Sequence, residues 1–295
     1  MVQNNSANLN ALNSNIYFII DDSNSHCGLT DRLKAAVGLC YVARQNNIGF
    51  KFIHRAGFDL RDYLEPNVIP WSAELSDIAR LPWKTRRIEY RPPLDSFPKF
   101  KANMQYICKR YIGKNIIEMT NVPDWQSVWR KLFWDMFTPS QIVKDALAHS
   151  GLPDRYVIVN ARFINSLGMI EETNYNAPLP DDMQAKLIDA VLAKAAECEA
   201  QSDVPAILYS DSIRFLDIAA NRGFHTISPK GIGNMMNSNA DESVNLQSFV
   251  GMFQIAQADK VYSILNMEGF PEGSLYKTQY PRYAAIIGNR PFIRL

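Results

Sequence analysis

The chain has 295 residues, 47% of them hydrophobic and 21% charged, which is the balance of a soluble globular protein with one large or two ordinary domains. Its formal net charge of +1 gives no overall argument for binding nucleic acid or a membrane surface. The four cysteines stand far apart without a CxxC pair, which indicates reduced thiols and a cytoplasmic protein. The polar leader over residues 1–14 has no signal-peptide core, and no window is apolar enough to span a membrane. Two interpretations stay open, a protein that works in the cytoplasm and a fragment that has been trimmed of its membrane anchor.

The first predicted unit is a strand, a polar loop and a helix. Residues 16–20 are apolar and β-branched or aromatic, which suits a buried parallel strand. The loop over residues 21–27 follows, and Gly28 precedes a helix that begins near Leu29 or Thr30 and ends near Gln45. The loop after such a strand is where open α/β sheets bind ligands. The alternative is an ordinary βα unit that binds nothing.

The chain continues with a second strand over residues 50–54 and a short helical turn over 59–64. Residues 68–101 are proline-rich and irregular, with one strand over 88–90, and this length indicates a functional surface insert. Its basic residues alternate with aromatic ones, which favours either a solvated insert or contact with an anionic or glycan acceptor; they are Lys84, Arg86, Arg87, Arg91, Lys99 and Lys101, with Trp83, Tyr90 and Phe100. Residues 124–148 are helical, and Pro139 fits the first position of a capped restart.

The second half repeats the alternation of strands and helices. Strands are predicted over residues 156–160, 206–210, 224–227, 260–264 and 284–287, and helices over 181–200, 213–222 and 244–258. A polar loop covers residues 231–241. This pattern predicts an α/β fold with two Rossmann-like domains that face each other across a cleft. We expect the first domain to cover residues 1–150 and the second to cover 151–295, with the boundary near Gly151.

Two groups of polar residues follow predicted strands of the second half. Arg162 comes two residues after the strand over 156–160, where a guanidinium can hold a phosphate in bidentate fashion. The alternative is a surface arginine. Asp211 and Ser212 stand between a strand and a helix, where helix capping is the simpler interpretation.

Several kinds of catalytic site are excluded by missing patterns. The four histidines have no zinc spacing, and neither a GxSxG elbow nor a Walker A string occurs. No DxD motif stands at a strand end to hold a metal–diphosphate complex. The sequence therefore predicts no metal and no cofactor.

Four segments, in this order, carry a resemblance to one protein family. Gly28-Leu29-Thr30-Asp31-Arg32-Leu33 resembles a first-loop G-x-G-[DN]-R-L motif, with Thr30 at the second glycine. Val159-Asn160-Ala161-Arg162 resembles an H-x-R motif, with Asn160 where His usually stands and no acidic residue following. The string Leu208-Tyr209-Ser210-Asp211-Ser212 and the stretch from Ser243 through Ser248 to Ser263 are also similar. The chain thus resembles the fucosyltransferase-type GT-B glycosyltransferases, which include bacterial α-1,6-fucosyltransferases and protein O-fucosyltransferases.

The resemblance implies an inverting, metal-independent glycosyltransferase of polysaccharide biosynthesis. Its donor is a nucleotide sugar, GDP-fucose or a relative, and its acceptor an oligosaccharide, a lipid-linked glycan or a protein glycan. The first domain is then the acceptor side and the second the donor side, no nucleic acid is involved, and a peripheral place at a membrane stays open. The resemblance assigns donor binding to Gly28, Arg32, Arg162, Asp211, Ser212 and Ser248.

Arg162 is also the expected stabiliser of the leaving diphosphate. Asp31 is the first choice for the general base, followed by Asp21, Asp22 and Glu171. Asp241 or Glu242 is expected near the nucleobase. The missing His and Asp around Arg162 favour a competing hypothesis, a catalytically inactive two-lobed protein that binds a glycan or a nucleotide.

Overall fold

A computed structural model describes residues 14–23, 27–79, 81–91, 97–168, 177–227 and 242–295. These residues form two α/β units, one that ends at Ser140 and one that begins at Gln141. The expected boundary near Gly151 lies later in the chain. Each unit has its own parallel sheet, in agreement with the predicted fold class.

The first unit is built on a four-stranded parallel sheet in the order β2-β1-β5-β4, beside a small antiparallel pair, β3 and β6. Its elements are β1 (Asn15–Ile20), α1 (Leu29–Gln45), β2 (Gly49–His54), β3 (Leu64–Pro66), β4 (Thr85–Tyr90), β5 (Gln105–Tyr111), α2 (Ile116–Met119), α3 (Trp125–Met136) and β6 (Phe137–Pro139), with short 3₁₀ turns at Leu60–Asp62, Leu75–Asp77 and Pro82–Lys84.

Alternation along the strands divides the first sheet into two differently covered faces. Phe18 stacks on Phe52, and an aromatic cluster with Trp71 and Phe137 extends this face toward α3. On the other face, Tyr17 and Ile19 of β1 pack with the segment that contains Ile78. The chain runs from β1 to β2 at one edge of the sheet, continues to β4 at the other edge and then returns to β5 beside β1.

The second unit contains a five-stranded parallel sheet in the order β11-β10-β7-β8-β9. Its elements are α4 (Gln141–Ala148), β7 (Val157–Ala161), α5 (Asp181–Ala200), β8 (Ala206–Ser210), α6 (Ile213–Asn221), β9 (His225–Ile227), α7 (Glu242–Gln257), β10 (Lys260–Ile264), α8 (Tyr280–Gly288) and β11 (Phe292–Arg294). Because β8 and β10 lie on opposite sides of β7, strand order reverses between β7 and β10.

Two predictions about single elements were wrong, and one strand was not predicted. Residues 284–287 lie in α8, not in a strand, since a run of four apolar residues fits either element and Pro281 favours a helix start. Pro139 ends β6, and α4 begins at Gln141 without it. The strand β5 was missed because it lacks the apolar run by which β1 was recognised. The polar loop over residues 231–241 lies outside the described residues.

Candidate functional site

The strongest candidate site lies in the second unit, at the carboxyl end of β7. Arg162 directly follows β7, next to the place where strand order reverses, and such places bind ligands in open α/β sheets. Its side chain is 33% exposed, whereas its Nε atom is buried and makes no hydrogen bond. Within the described part of the chain, no hydrogen bond occupies its terminal amino groups. The Nε atom of the guanidinium is thus buried next to its neighbours, and the terminal amino groups are available to a ligand.

Two neighbours hold the guanidinium in place. The Nε atom of Arg162 lies 3.5 Å from Oδ2 of the buried Asp211. Its Cζ atom lies 5.2 Å from the centre of the Tyr276 ring, within the range of a cation–π contact. The backbone N–H of Tyr276 also donates to the carbonyl of Arg162 at 2.7 Å. No sequence pattern marks Tyr276, since it stands in a loop without periodicity and only tertiary contact reveals it.

Asp211 organises the backbone that follows Arg162. Its Oδ1 accepts the N–H of Phe163 and its Oδ2 accepts the N–H of Ile164, both at 2.8 Å. Ile164 has a φ of 50°, which is rare and strained for a β-branched residue. Burial raises the pKa of Asp211, while the two N–H groups and Arg162 partly counteract the effect. Both carboxylate oxygens accept hydrogen bonds from this loop, which indicates that Asp211 positions Arg162, whereas its contact with a donor stays a prediction.

The two predicted serine ligands are used inside the second unit. Ser212 is the N-cap of α6, and its hydroxyl accepts the N–H of Phe215 at 3.2 Å. Helix capping, the simpler interpretation, therefore describes Ser212. Ser248 was expected at a helix N-terminus, but α7 begins at Glu242, and the Ser248 hydroxyl donates to the carbonyl of Val244 at 3.0 Å. Ser248 therefore does not stand at a helix N-terminus, and phosphate binding by this residue stays a prediction.

Asn160 stands where the resembling family usually has a histidine. It is buried, and its Nδ2 donates to the hydroxyl of Ser263 at 3.3 Å, which joins β7 to β10. The Asn160 side chain therefore links the two strands that lie beside Arg162. Glu242 begins α7, whereas Asp241 and Glu171 lie outside the described residues.

In the first unit, Gly28 and Asp31 stand at the start of α1. Gly28 is the N-cap, with its carbonyl accepting from the N–H groups of Asp31 and Arg32. A Cβ at Gly28 would meet nothing within 4 Å, so the space beside it is open. Asp31 pairs with Lys34 at 2.5 Å and is one-third exposed. A Cβ at Gly113, just past β5, would overlap the Asp31 carboxylate.

Arg32 was predicted to bind the donor, and the structure places it in the core instead. The residue is 1% exposed. Its guanidinium donates to the carbonyl of Cys27 at 2.9 Å and lies 3.0 Å from Nε2 of His54. Burial lowers the pKa of Arg32, and Tyr111 partly offsets this effect. Arg32 therefore links Cys27, just before α1, to His54 at the end of β2, and donor binding by this buried side chain stays a prediction.

The alternative bases Asp21 and Asp22 directly follow β1, at its carboxyl end. Asp21 forms an ion pair with Lys109 and accepts from the Ser23 hydroxyl. Burial alone would raise the pKa of Asp21, but these hydrogen bonds outweigh it and the pKa is lowered. Asp22 is exposed and lines an open depression with Arg55 and Asp59.

Among the described residues, no three His, Cys, Asp or Glu side chains come together as a metal site. None of the helices in that part of the chain combines the length and the apolar character that crossing a bilayer requires.

The fold is similar to solved structures of the α-1,6-fucosyltransferase NodZ. NodZ soaked with GDP-fucose has a TM-score of 0.54 and 13% identity, with 92% of each chain covered. NodZ co-crystallised with GDP has a TM-score of 0.54 and 12% identity, with 91% covered, and NodZ from Bradyrhizobium has a TM-score of 0.53 at 12% identity, with 91% of each chain covered. No protein-family model matches the sequence, and no curated protein matches it. The chain thus shares, distantly, the fucosyltransferase-type GT-B-like fold that the motifs predict.

Proposed function

We propose that the chain is a glycosyltransferase that moves a fucose-like sugar from a GDP-linked donor to a hydroxyl of a glycan acceptor. The observation that carries the proposal is the guanidinium of Arg162, anchored by Asp211 and Tyr276 at the reversal point of a parallel sheet. The fold shared with NodZ, which has been solved with GDP-fucose and with GDP, supports the choice of donor. A location in the cytoplasm is part of the proposal.

The second unit is the donor side. As the bond between the sugar and the diphosphate breaks, negative charge builds on the leaving oxygen. A guanidinium already held in position stabilises this charge without reorganising, and its two terminal amino groups can contact two phosphate oxygens. Asp211 and Tyr276 supply that preorganisation. The reaction requires no metal, since Arg162 takes the role that a cation would have.

The first unit is the acceptor side, and Asp31 is the proposed general base. Its carboxylate takes the proton of the acceptor hydroxyl while the oxygen attacks the anomeric carbon opposite the leaving GDP, so the configuration inverts. Asp22 and Glu171 are the alternatives, together with Asp21. The lowered pKa of Asp21 makes it the weaker base.

A panel of GDP, UDP, CMP and ADP in a thermal-shift assay tests the donor. Ligand at ~100 times Kd adds ~2.7 kcal/mol of stability, which the assay resolves. GDP should stabilise the protein most. No shift with any of the four nucleotides would contradict the proposal.

Substitution of Arg162 tests the chemistry. Arg162→Ala should lower the rate of donor hydrolysis or transfer about 100- to 1000-fold, the usual loss of a charge-stabilising donor. Arg222→Ala is the matched control, because this arginine pairs with Asp189 on the surface of the same unit. Wild-type rates in Arg162→Ala would remove the central assignment. Tight GDP binding without turnover by the wild type would instead support an inactive nucleotide-binding protein, the alternative that Asn160 favours.

A further inference from the structure

The first unit contains a cavity that the proposed chemistry does not use. Its volume is about 800 Å³, within the range of small-molecule sites. The floor is the face of the sheet that carries Ile19 and Ile107, and one wall is the segment with Leu75, Ile78 and Leu81. The cavity extends toward the carboxyl end of β5 at Lys109.

The cavity exists because the two faces of this sheet are covered unequally. Both faces of a parallel sheet normally carry helices. Here α1 packs on β1 and β2, and α2 and α3 pack on α1. Among the described residues, the other face is covered only by the segment with two short 3₁₀ turns. Two hydrogen bonds hold this segment where the strands begin: the N–H of Ala79 donates to the side-chain oxygen of Gln105 at 2.6 Å, and the hydroxyl of Thr85 donates to the carbonyl of Ala79 at 3.0 Å. Nearer the carboxyl ends, this face borders the cavity at Ile107 and Lys109, although Ile19 and Ile53 on the same face are buried.

Charge is concentrated at one side of this apolar cavity. Arg87 lines it and is exposed, with no ion pair or hydrogen bond among the described residues. The other two cations of the lining are paired, Lys109 with Asp21 and Arg110 with Glu89. An apolar floor with one unpaired guanidinium complements a molecule that has an apolar chain and an anionic group.

We propose that this cavity binds the phosphate-linked apolar chain of a lipid-linked acceptor. The chain lies on Ile19, Ile78 and Ile107, and the phosphate accepts hydrogen bonds from Arg87. Binding here holds the acceptor sugar near the carboxyl ends of β1 and β5, where Asp21 follows β1 and Gly113, which lies against the Asp31 carboxylate, follows β5. The assignment of this ligand as an acceptor rests on the proposed transferase function; the binding itself does not.

Calorimetric titration of the full chain with octyl phosphate, below its micelle concentration, tests the site. Octanol and inorganic phosphate are the control ligands, and hexyl phosphate should bind about tenfold more weakly because it buries two fewer methylenes. Arg87→Gln should weaken octyl phosphate about tenfold or more. Arg86→Gln is the matched control variant, since Arg86 is exposed and neighbouring strand residues point to opposite faces. Leu75→Ser, at a half-exposed position of the wall, should also weaken binding.

The outcomes separate the hypotheses. Equal affinity for octanol, equal affinity for inorganic phosphate, or equal losses in Arg87→Gln and Arg86→Gln would each overturn the proposal. GDP titrated into the same proteins distinguishes the two proposals, since Arg87→Gln should leave GDP binding unchanged. Failure of the wild type to bind GDP would contradict the transferase function while leaving the octyl phosphate result valid.

Discussion

Replacement of Asp211 by asparagine tests whether this buried carboxylate organises the donor site. The amide oxygen can still accept one N–H, but its NH₂ group must face the other backbone donor, at Phe163 or Ile164. One buried N–H without a partner costs about 1–3 kcal/mol. Part of this loss is offset, since burial raises the pKa of Asp211 and a neutral amide avoids the cost of burying charge. We expect a net loss of about 1–2 kcal/mol.

This loss corresponds to a fall in Tm of roughly 2–8 °C for a unit of this size, measured by circular dichroism. GDP affinity, measured by calorimetry, should fall about tenfold, because Arg162 loses its partner and the strained turn at Ile164 relaxes. Asp217→Asn on the exposed face of α6 makes the same charge change as a control. Equal Tm and GDP affinity in the wild type and Asp211→Asn would refute the reasoning.

Three further predictions concern single contacts. The lowered pKa of Asp21 implies that its ion pair with Lys109 stabilises the fold above the unfolded pKa of about 3.9, and that this stability is lost as the pH falls through the folded pKa. Asp21→Asn should therefore lower the free energy of unfolding near pH 7 and not at low pH. Urea unfolding followed by tryptophan fluorescence can measure this, because all five tryptophans lie in the first unit. Gly113→Ala should displace the Asp31 carboxylate and lower kcat with little change in urea stability; an unchanged kcat would count against Asp31 as the base. Gly288→Ala should destabilise the second unit by about 1–3 kcal/mol or more, since its Cβ would overlap the backbone carbonyl of Ala256, and an unchanged Tm by circular dichroism would contradict this packing of α8 on α7.

The elements with strong periodicity were predictable from the sequence. The helix α5 and the strands β8 and β10 have the predicted bounds, and the capping of α6 by Ser212 was recognised as the simpler interpretation. The position of Arg162 after a buried strand could also be predicted from the sequence. In each case the physical signal lies within a few consecutive residues, as apolar spacing, a turn or a cap.

Tertiary structure alone decided what the polar side chains do. Asp211 holds a backbone N–H that lies 47 positions away in the chain, and Arg32 reaches His54 on another strand. No local pattern indicates such partners, so the sequence could not show that Arg32 is buried or that Asp211 holds the backbone after Arg162. The short apolar run over residues 284–287 could form a helix or a strand by propensity alone. Packing against α7 selected the helix α8.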